Sequence, residues 1–144
     1  MEFIKFNKRD AFSKELALEV NEYLKANNKN KFGSWKIFLK VPLMFSIYLV
    51  PYFLMVFGVI ENHWMMLLAA AIMGFGMSGI GLAIMHDANH GSFSRYDWVN
   101  KVMSYSMEVL GGNSLNWKIQ HNVLHHSFTN VHDLDEDIKP APLL

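Results

Sequence analysis

Residues 64–85 read WMMLLAAAIMGFGMSGIGLAIM, and the chain continues at 86–91 as HDANHG. The first stretch carries no charge over 22 residues, and as an α-helix it would extend about 33 Å, enough to cross the hydrocarbon core of a bilayer. His86 and His90 are four residues apart, so on a helix both rings point the same way just beyond the apolar run. The sequence therefore predicts a membrane-spanning helix that ends in a pair of imidazoles.

A second uncharged run, residues 41–60, precedes this one and is separated from it by the three polar residues 61–63. Its 20 residues would reach about 30 Å as a helix, which again matches the thickness of the hydrocarbon core. Pro51 lies in the middle of the run, where neighbouring helices in a membrane can accommodate it. We therefore expect an antiparallel transmembrane hairpin with spans at about 41–60 and 64–85 and a short polar turn.

Small residues recur every four positions on the second span, at Ala70, Gly74 and Ser78, and again at Gly79 and Ala83. Such spacing lets two helices approach closely, and it can also leave room for a lipid chain. We favour the packing interpretation, because small-residue stripes are common where helices meet.

Amphipathic segments flank the hairpin. Residues 10–27 are expected to form a helix with Asp10 as its N-cap. Its apolar stripe consists of Phe12, Leu16, Val20 and Leu24. Residues 98–110 are too short to span and have one apolar and one polar face, as in a helix that lies in the membrane interface. The predicted class is an all-α membrane protein, with a cytosolic amphipathic helix and linker at 1–35 and a second region at 36–144.

Basic residues are distributed unevenly around the two spans. Nine Lys and Arg residues precede the first span, from Lys5 to Lys40, the turn at 61–63 has none, and four follow the second span. Lysine and arginine concentrate on the cytosolic side of membrane proteins. We therefore expect an integral, multi-pass membrane protein with its N-terminus and both histidine clusters in the cytoplasm.

A second histidine cluster, HNVLHH at residues 121–126, repeats the four-residue spacing of the first. It is expected on a helix that begins near Leu115. His121 and His125 would share one face of that helix, while His126 would lie about 100° further round. Imidazole is the commonest metal ligand among protein side chains. The two clusters predict a metal site formed by His86, His90, His121, His125 and His126.

Polar residues near the clusters could accept a hydrogen bond from the ligating rings or orient water beside them. These candidates are Asp87, Asn89, Asn122, Asn130, Asp135 and Asp137. His63 stands alone next to Trp64 at the other end of the span and is interpreted as an interfacial residue. His132 lies in the acidic tail, where it is either a solvated residue or an additional ligand.

The amino-acid composition restricts the kinds of metal site and of partner that this chain can have. The chain contains no cysteine, which excludes disulfides, thiolate zinc sites and cysteine-ligated iron–sulfur clusters. A formal net charge of zero, without a basic stripe, argues against nucleic acid as a partner. Clustered imidazoles suit iron, copper or zinc, and the spacing alone does not distinguish among these metals.

At these positions the sequence resembles the membrane fatty acid desaturases, most of all the bacterial acyl-lipid or acyl-CoA desaturases. Residues 86–91 match the first histidine box of that family. Residues 121–126 with the following SFTN at 127–130 match the second box, and DEDI at 135–138 resembles the acidic stretch after it. The resemblance covers residues from about 35 to 139.

The resemblance implies a non-haem di-iron centre. Its ligands would include His86, His90, His121, His125 and His126. It also implies an oxidoreductase that uses O₂ and two electrons to introduce a cis double bond into an acyl chain carried by CoA or a lipid. A ferredoxin or cytochrome b5 would deliver the electrons. A partial desaturase domain would then occupy residues 36–144, with the cytosolic histidine-box region at 86–139.

The family's third histidine box and second hairpin are not found in this sequence. We therefore expect a fragment of a desaturase that is inactive by itself. Two alternatives stay open. A related membrane hydroxylase or ketolase would show the same two boxes, and a non-catalytic two-span membrane protein could bind metal without redox chemistry.

Overall fold

The computed structural model describes residues 11–138, and over this range the regular structure is entirely helical. The predicted all-α class is therefore confirmed. The proposed N-cap Asp10 and the end of the predicted histidine-box region, Lys139, lie outside the described residues. The chain divides into two compact units, one ending at Lys31 and the other beginning at Phe32.

The first unit contains helix α1, Ala11–Ala26, which matches the expected amphipathic helix closely. None of its residues is buried. The stripe residues Phe12, Leu16 and Val20 are among the exposed apolar side chains of the chain. The apolar face of α1 is thus not covered within its own unit.

The second unit is built on a helical hairpin. Helix α2 spans Trp35–Val56 and helix α3 spans His63–Gly79. A π-helical segment at Ile80–Met85, here called the first π segment, and the short helix α4 at His86–Asn89 continue α3 without interruption. Together they form one rod, His63–Asn89.

The boundaries of the hairpin differ from the predicted ones at three points. Helix α2 begins and ends earlier than the expected 41–60, and the turn comprises residues 57–62 rather than 61–63. Gly58 has a φ of +69°, a conformation that ends a helix and favours glycine. Asn62 then caps α3, because its Oδ1 accepts hydrogen bonds from the amides of Trp64 and Met65 at 3.0 and 3.2 Å.

Both long helices are apolar and long enough to cross a membrane. Large apolar side chains along them remain exposed, including Phe57, Trp64 and Phe75 with 74%, 79% and 67% of their surface accessible. Exposed apolar surface of this extent marks a contact with lipid or with another protein segment. The two spans are the elements that the uncharged runs predicted.

Glycines set the spacing between α2 and the rod. A methyl group added at Gly76 would lie 2.7 Å from the backbone nitrogen of Tyr48, and one at Gly79 would clash with the side chain of Met44. The stripe of Ala70, Gly74 and Ser78 is exposed, so the packing interpretation is wrong for these three residues. It holds for Gly79 of the second predicted pair, which lies at the contact with α2. The packing face is rotated away from the exposed stripe and contains Gly76 and Gly79.

This close approach predicts an asymmetry between two neighbouring glycines. Gly76→Ala should destabilise the hairpin by about 1–3 kcal/mol, because the methyl group meets backbone that cannot move aside. Gly74→Ala has open space around it and should be neutral or stabilising by up to about 1 kcal/mol through helix propensity. Denaturant unfolding of the purified chain in micelles, followed by tryptophan fluorescence, measures both. Equal effects of the two variants would contradict the packing described here.

A small core lies where the rod leaves the apolar region. Its centre consists of Ile80, Ile84, Ala88 and Phe93. The predicted interfacial helix at 98–110 packs against this core, but it is divided into α5, Asp97–Ser104, and α6, Ser106–Val109. Ser104 is buried, and its hydroxyl donates to the Lys101 carbonyl at 2.8 Å. The predicted single helix is therefore interrupted at Tyr105.

Candidate metal centre

The first histidine cluster sits at the end of the rod. The first π segment leads into α4, and His90 is the C-cap residue of α4. The chain then turns at Gly91, whose φ is +69°, as expected for a residue just past a helix end. The rings of His86 and His90 lie side by side, with their centroids 4.5 Å apart. The four-residue spacing therefore places both imidazoles at one point, as the sequence indicated.

The second cluster lies on a helix of mixed type. Helix α7, Ser114–Trp117, is capped by Asn113, whose Oδ1 accepts from the Asn116 amide at 2.9 Å. A second π segment, Lys118–His125, follows, and helix α8, His126–Phe128, ends the run. The π geometry differs from the prediction, because the spacing of the histidines was interpreted with an α-helical period. π-helical turns within helices frequently occur at functional sites.

All five predicted ligands converge, and His121 lies at the centre of the group. Its ring centroid is 5.3 Å from His86, 5.1 Å from His90, and 5.0 Å from both His125 and His126. His126 is also 4.9 Å from His90 and 5.3 Å from His125. The ring of His126, expected about 100° further round the helix than that of His125, thus lies in the same cluster as the other four.

Two sets of three residues could each hold a metal ion, because the potential ligand atoms within each set lie within 4.8 Å of one another. One set is His86, His90 and His121, and the other is His121, His125 and Asp137. Bonds of about 2.0–2.1 Å between imidazole nitrogen and a metal place two ligands of one ion at most about 4 Å apart. Both sets are therefore close to the spacing that a metal ion requires.

Carboxylates hold two of the rings through Nδ1. His125 Nδ1 is 2.9 Å from Asp135 Oδ1, and His121 Nδ1 is 2.5 Å from Asp137 Oδ2. Asp135 is completely buried and also accepts hydrogen bonds from the amides of Asn130 and Asp137, at 2.8 and 3.1 Å. A metal-ligating imidazole usually donates its other N–H to such a carboxylate. This arrangement leaves Nε2 of each ring available for a metal.

The remaining candidate residues are placed differently. Asp87 contacts the neighbouring His86 Nδ1 at 3.2 Å, but both side chains are more than one-third exposed. Asn130 contributes its backbone amide to Asp135. His132 is 92% exposed and pairs with Asp133, outside both ligand sets, and His63 is exposed at the start of α3. Asn89 and Asn122 lie between the clusters, where Asn122 Nδ2 donates to the Asn89 carbonyl oxygen at 2.9 Å.

Trp117 is a member of the site that the sequence analysis did not identify. Its ring stacks on His121 with a centroid distance of 4.4 Å and meets the edges of His86 and His90 at 5.7 Å. Its position four residues before His121 was a usable signal, because residues at that spacing are neighbours on a helix. The indole shields one side of the cluster from solvent.

The electrostatic environment differs across the cluster. Burial lowers the pKa of His90, and the neighbouring His86, His121 and His126 lower it further because adjacent imidazolium charges repel. The pKa of His125 is raised by its hydrogen bond to Asp135. Burial alone would raise the pKa of Asp135, but the hydrogen bonds from His125 and the two amides outweigh it and lower the pKa. Ligation requires neutral imidazole, so the environment of His90 favours the binding-competent form.

These shifts predict the titration of the metal-free chain. His90 should protonate below its ordinary pKa of 6.5 and His125 above that value. The raised pKa of His125 stabilises the fold fully below pH 6.5, and this contribution is lost as the pH rises through the raised value. The lowered pKa of Asp135 stabilises the fold above pH 3.8 and is lost as the pH falls through the folded-state value.

Nuclear magnetic resonance of the imidazole ring protons measures both titrations directly. Asp135→Asn should return the pKa of His125 towards 6.5 and leave that of His90 low. A His125 pKa that does not change in this variant would show that the Asp135 hydrogen bond is not its cause.

The similarity of this chain to known proteins covers the same residues. Residues 62–142, more than half of the chain, match the family Fatty acid desaturase. The chain belongs to the fatty acid desaturase family. The matched range includes both histidine clusters and the acidic stretch, so the resemblance drawn from the two boxes is confirmed. No solved structure matches the chain.

Several desaturases align with more than half of the chain. The sn-1 linoleoyl-lipid 6-desaturase of Arthrospira platensis is 37% identical over 96% of this chain and 39% of its own length. The acyl-lipid (8-3)-desaturase of Physcomitrium patens is 35% identical over 83% of this chain and 25% of its own length. The acyl-lipid (7-3)-desaturase of Diacronema lutheri is 42% identical over 54% of this chain and 18% of its own length. The chain thus spans less than half the length of these relatives.

Proposed function

We propose that this chain is the part of a membrane fatty acid desaturase that supplies five ligands to a non-haem di-iron centre. The observation that carries the proposal is the convergence of five imidazoles, from two separate helices, around the ring of His121. Five imidazole rings gathered from two helices are more than an isolated ion pair requires, and imidazole is the commonest metal ligand among side chains. Family membership supports the same conclusion.

The donor set fits iron. Imidazole nitrogens with carboxylates nearby suit iron, copper or zinc, while calcium and magnesium prefer oxygen ligands, and membership of the desaturase family favours iron among these metals. The carboxylates of Asp135 and Asp137 lie against Nδ1 of His125 and His121, which leaves Nε2 as the ligating atom. We infer that His86, His90, His121, His125 and His126 would hold the metal and that Asp135 and Asp137 would orient two of these rings.

When bound, the iron centre would supply O₂ activation and the removal of two hydrogen atoms from adjacent methylenes, consuming two electrons and two protons and releasing water beside a cis double bond. Two of the described residues, Asp135 and Trp117, would orient or shield the ligating rings. The buried Asp135 fixes the tautomer of His125, with the proton on Nδ1. Trp117 covers one face of His121 and excludes water from it.

Substrate and partners follow from the position of the site. The cluster begins directly after an apolar rod long enough to span a bilayer, so an acyl chain embedded in the membrane can approach it without entering water. The relatives named above are acyl-lipid desaturases, which favours a lipid-linked acyl chain over acyl-CoA. We propose a multi-pass protein with the cluster on the cytoplasmic side, where a ferredoxin or cytochrome b5 can donate electrons.

The experiment has two parts. Anaerobic reconstitution of the purified chain with Fe(II) should give bound iron, whereas His90→Ala combined with His125→Ala should bind little. Expression of the gene product that contains this sequence in a host that lacks polyunsaturated lipids should give a new cis double bond, detected by gas chromatography and mass spectrometry of the fatty acids. Iron binding without any new product would favour a metal-binding role, and a hydroxylated or ketolated product would favour a related oxygenase.

A further inference from the structure

Two asparagines join the histidine-bearing helices. Asn89 immediately precedes His90, and Asn122 immediately follows His121. The Nδ2 of Asn122 donates a hydrogen bond to the backbone oxygen of Asn89 at 2.9 Å, across 33 positions of sequence. This bond connects the end of the rod directly to the second π segment.

The rest of this pair is buried and unsatisfied. Asn89 is 6% exposed, and neither its Oδ1 nor its Nδ2 has a hydrogen-bond partner among the described residues. The Oδ1 of Asn122 is likewise buried without one. Buried amides are normally paired, because desolvating an unpaired donor or acceptor is costly.

Asn100 shows how this chain treats an ordinary buried amide. It is also 6% exposed, but its Oδ1 accepts from the Ser94 amide and its Nδ2 donates to the Ser94 carbonyl, both at 2.8 Å. The fold therefore satisfies Asn100 with its own backbone. The contrast indicates that the amide of Asn89 is kept for a bound group.

The chemistry of the three unpaired atoms restricts that group. They comprise one donor, the Nδ2 of Asn89, and two acceptors, the Oδ1 atoms of Asn89 and Asn122. A cation would leave the donor unpaired, and an anion would leave both acceptors unpaired. A water molecule donates and accepts, and it binds in polar sites that offer two to four partners.

We propose that Asn89 and Asn122 bind one ordered water molecule between the two histidine-bearing helices and thereby act as positioning residues for His90 and His121. The Asn89–water–Asn122 link, together with the direct bond from Asn122 to the Asn89 carbonyl, fixes the distance between the two clusters. This inference rests on the proposed function, since the spacing matters for the metal that the rings bind.

A matched pair of substitutions tests the proposal on the full chain. Asn89→Ala and Asn89→Ser both shorten the side chain, but serine retains a group that donates and accepts. We expect Asn89→Ala to weaken Co(II) binding by about 10-fold or more, as loss of groups that orient metal ligands does, and to change the visible spectrum of the bound ion. Asn89→Ser should keep an affinity and spectrum close to those of the unaltered chain. Asn116→Ala, which removes an exposed amide from α7, is the control.

Three measurements test the proposed water site and separate it from the proposed function. Equal Co(II) affinity and equal spectra for Asn89→Ala and the unaltered chain would overturn the proposal. A structure that resolves water should show one within about 3.2 Å of the Asn89 amide, and an amide paired instead with another protein segment would also overturn it. An unaltered chain that binds no Co(II) or Fe(II) would refute the proposed function itself, and the water in the resolved structure would then still test the asparagine site.

Discussion

His121→Ala is expected to weaken Fe(II) binding by more than about 100-fold, beyond the 10- to 100-fold loss typical of residues that only support a ligand. Its ring lies within 5.0–5.3 Å of all four other imidazoles, and it belongs to both sets of closely spaced ligand atoms. Removing it leaves each set with two members. It also removes the ring on which Trp117 stacks and the imidazole nitrogen that lies nearest to Asp137.

Anaerobic titration with Fe(II), followed by iron analysis after gel filtration, measures this loss. His63→Ala is the matched control, because His63 is exposed at the start of the rod, about 35 Å along the helix axis from His86. The control should bind as much iron as the unaltered chain. If both variants retained the same iron content, the assignment of the five rings to a metal centre would be wrong.

The two long apolar helices and the pairing of histidines within each cluster could be predicted because both depend on local sequence. An uncharged run of about 20 residues has few alternatives to a membrane helix, and histidines four apart meet on any helix. The ends of α2 were less predictable. Lys36 and Lys40 mark the limit of the apolar run, but lysine is a good helix former and does not stop the helix there.

The features missed by sequence reasoning depend on tertiary contacts. The second π segment, Lys118–His125, has eight residues, too few for the period of its side chains to distinguish it from an α-helix. The packing face of the rod was assigned to a small-residue stripe, although the decisive residue is Gly76, which approaches the backbone of Tyr48. Which face of a helix packs against its partner depends on how both helices are rotated about their axes. The sequence of one helix does not determine that rotation.

The sequence also left open which carboxylate would pair with which imidazole ring. The acidic stretch offered several aspartates, and the sequence could not say which of them would be buried. The structure selects Asp135 because the chain turns sharply before it, with left-handed backbone at Asn130 and Asp133, φ +63° and +69°. These two turns direct Asp135 inwards to His125 and leave Asp133 exposed.

Asp135→Ala is therefore expected to have the second largest effect on the metal centre, a loss of about 10- to 100-fold in Fe(II) affinity. The alanine removes the acceptor for His125 Nδ1 and leaves the amides of Asn130 and Asp137 without their shared partner. His125 can then rotate and adopt either tautomer, so a smaller fraction of molecules presents Nε2 to the metal. The 3₁₀ turn at Glu136–Ile138 loses its anchor as well, which weakens the hold of Asp137 on His121.

Asp133→Asn provides the comparison, since this carboxylate is 80% exposed and pairs with His132, which is 92% exposed. Asparagine tolerates the left-handed backbone at this position, so the substitution removes the charge and keeps the turn. It should leave iron affinity unchanged, because no ring of the cluster depends on the charge of Asp133. Asp135→Asn separates charge from hydrogen bonding: the amide retains one acceptor oxygen, so its loss of affinity should lie between those of Asp133→Asn and Asp135→Ala. If Asp133→Asn and Asp135→Ala weakened iron binding equally, the effect would come from total negative charge near the cluster, and the specific support of His125 by a buried carboxylate would have to be abandoned.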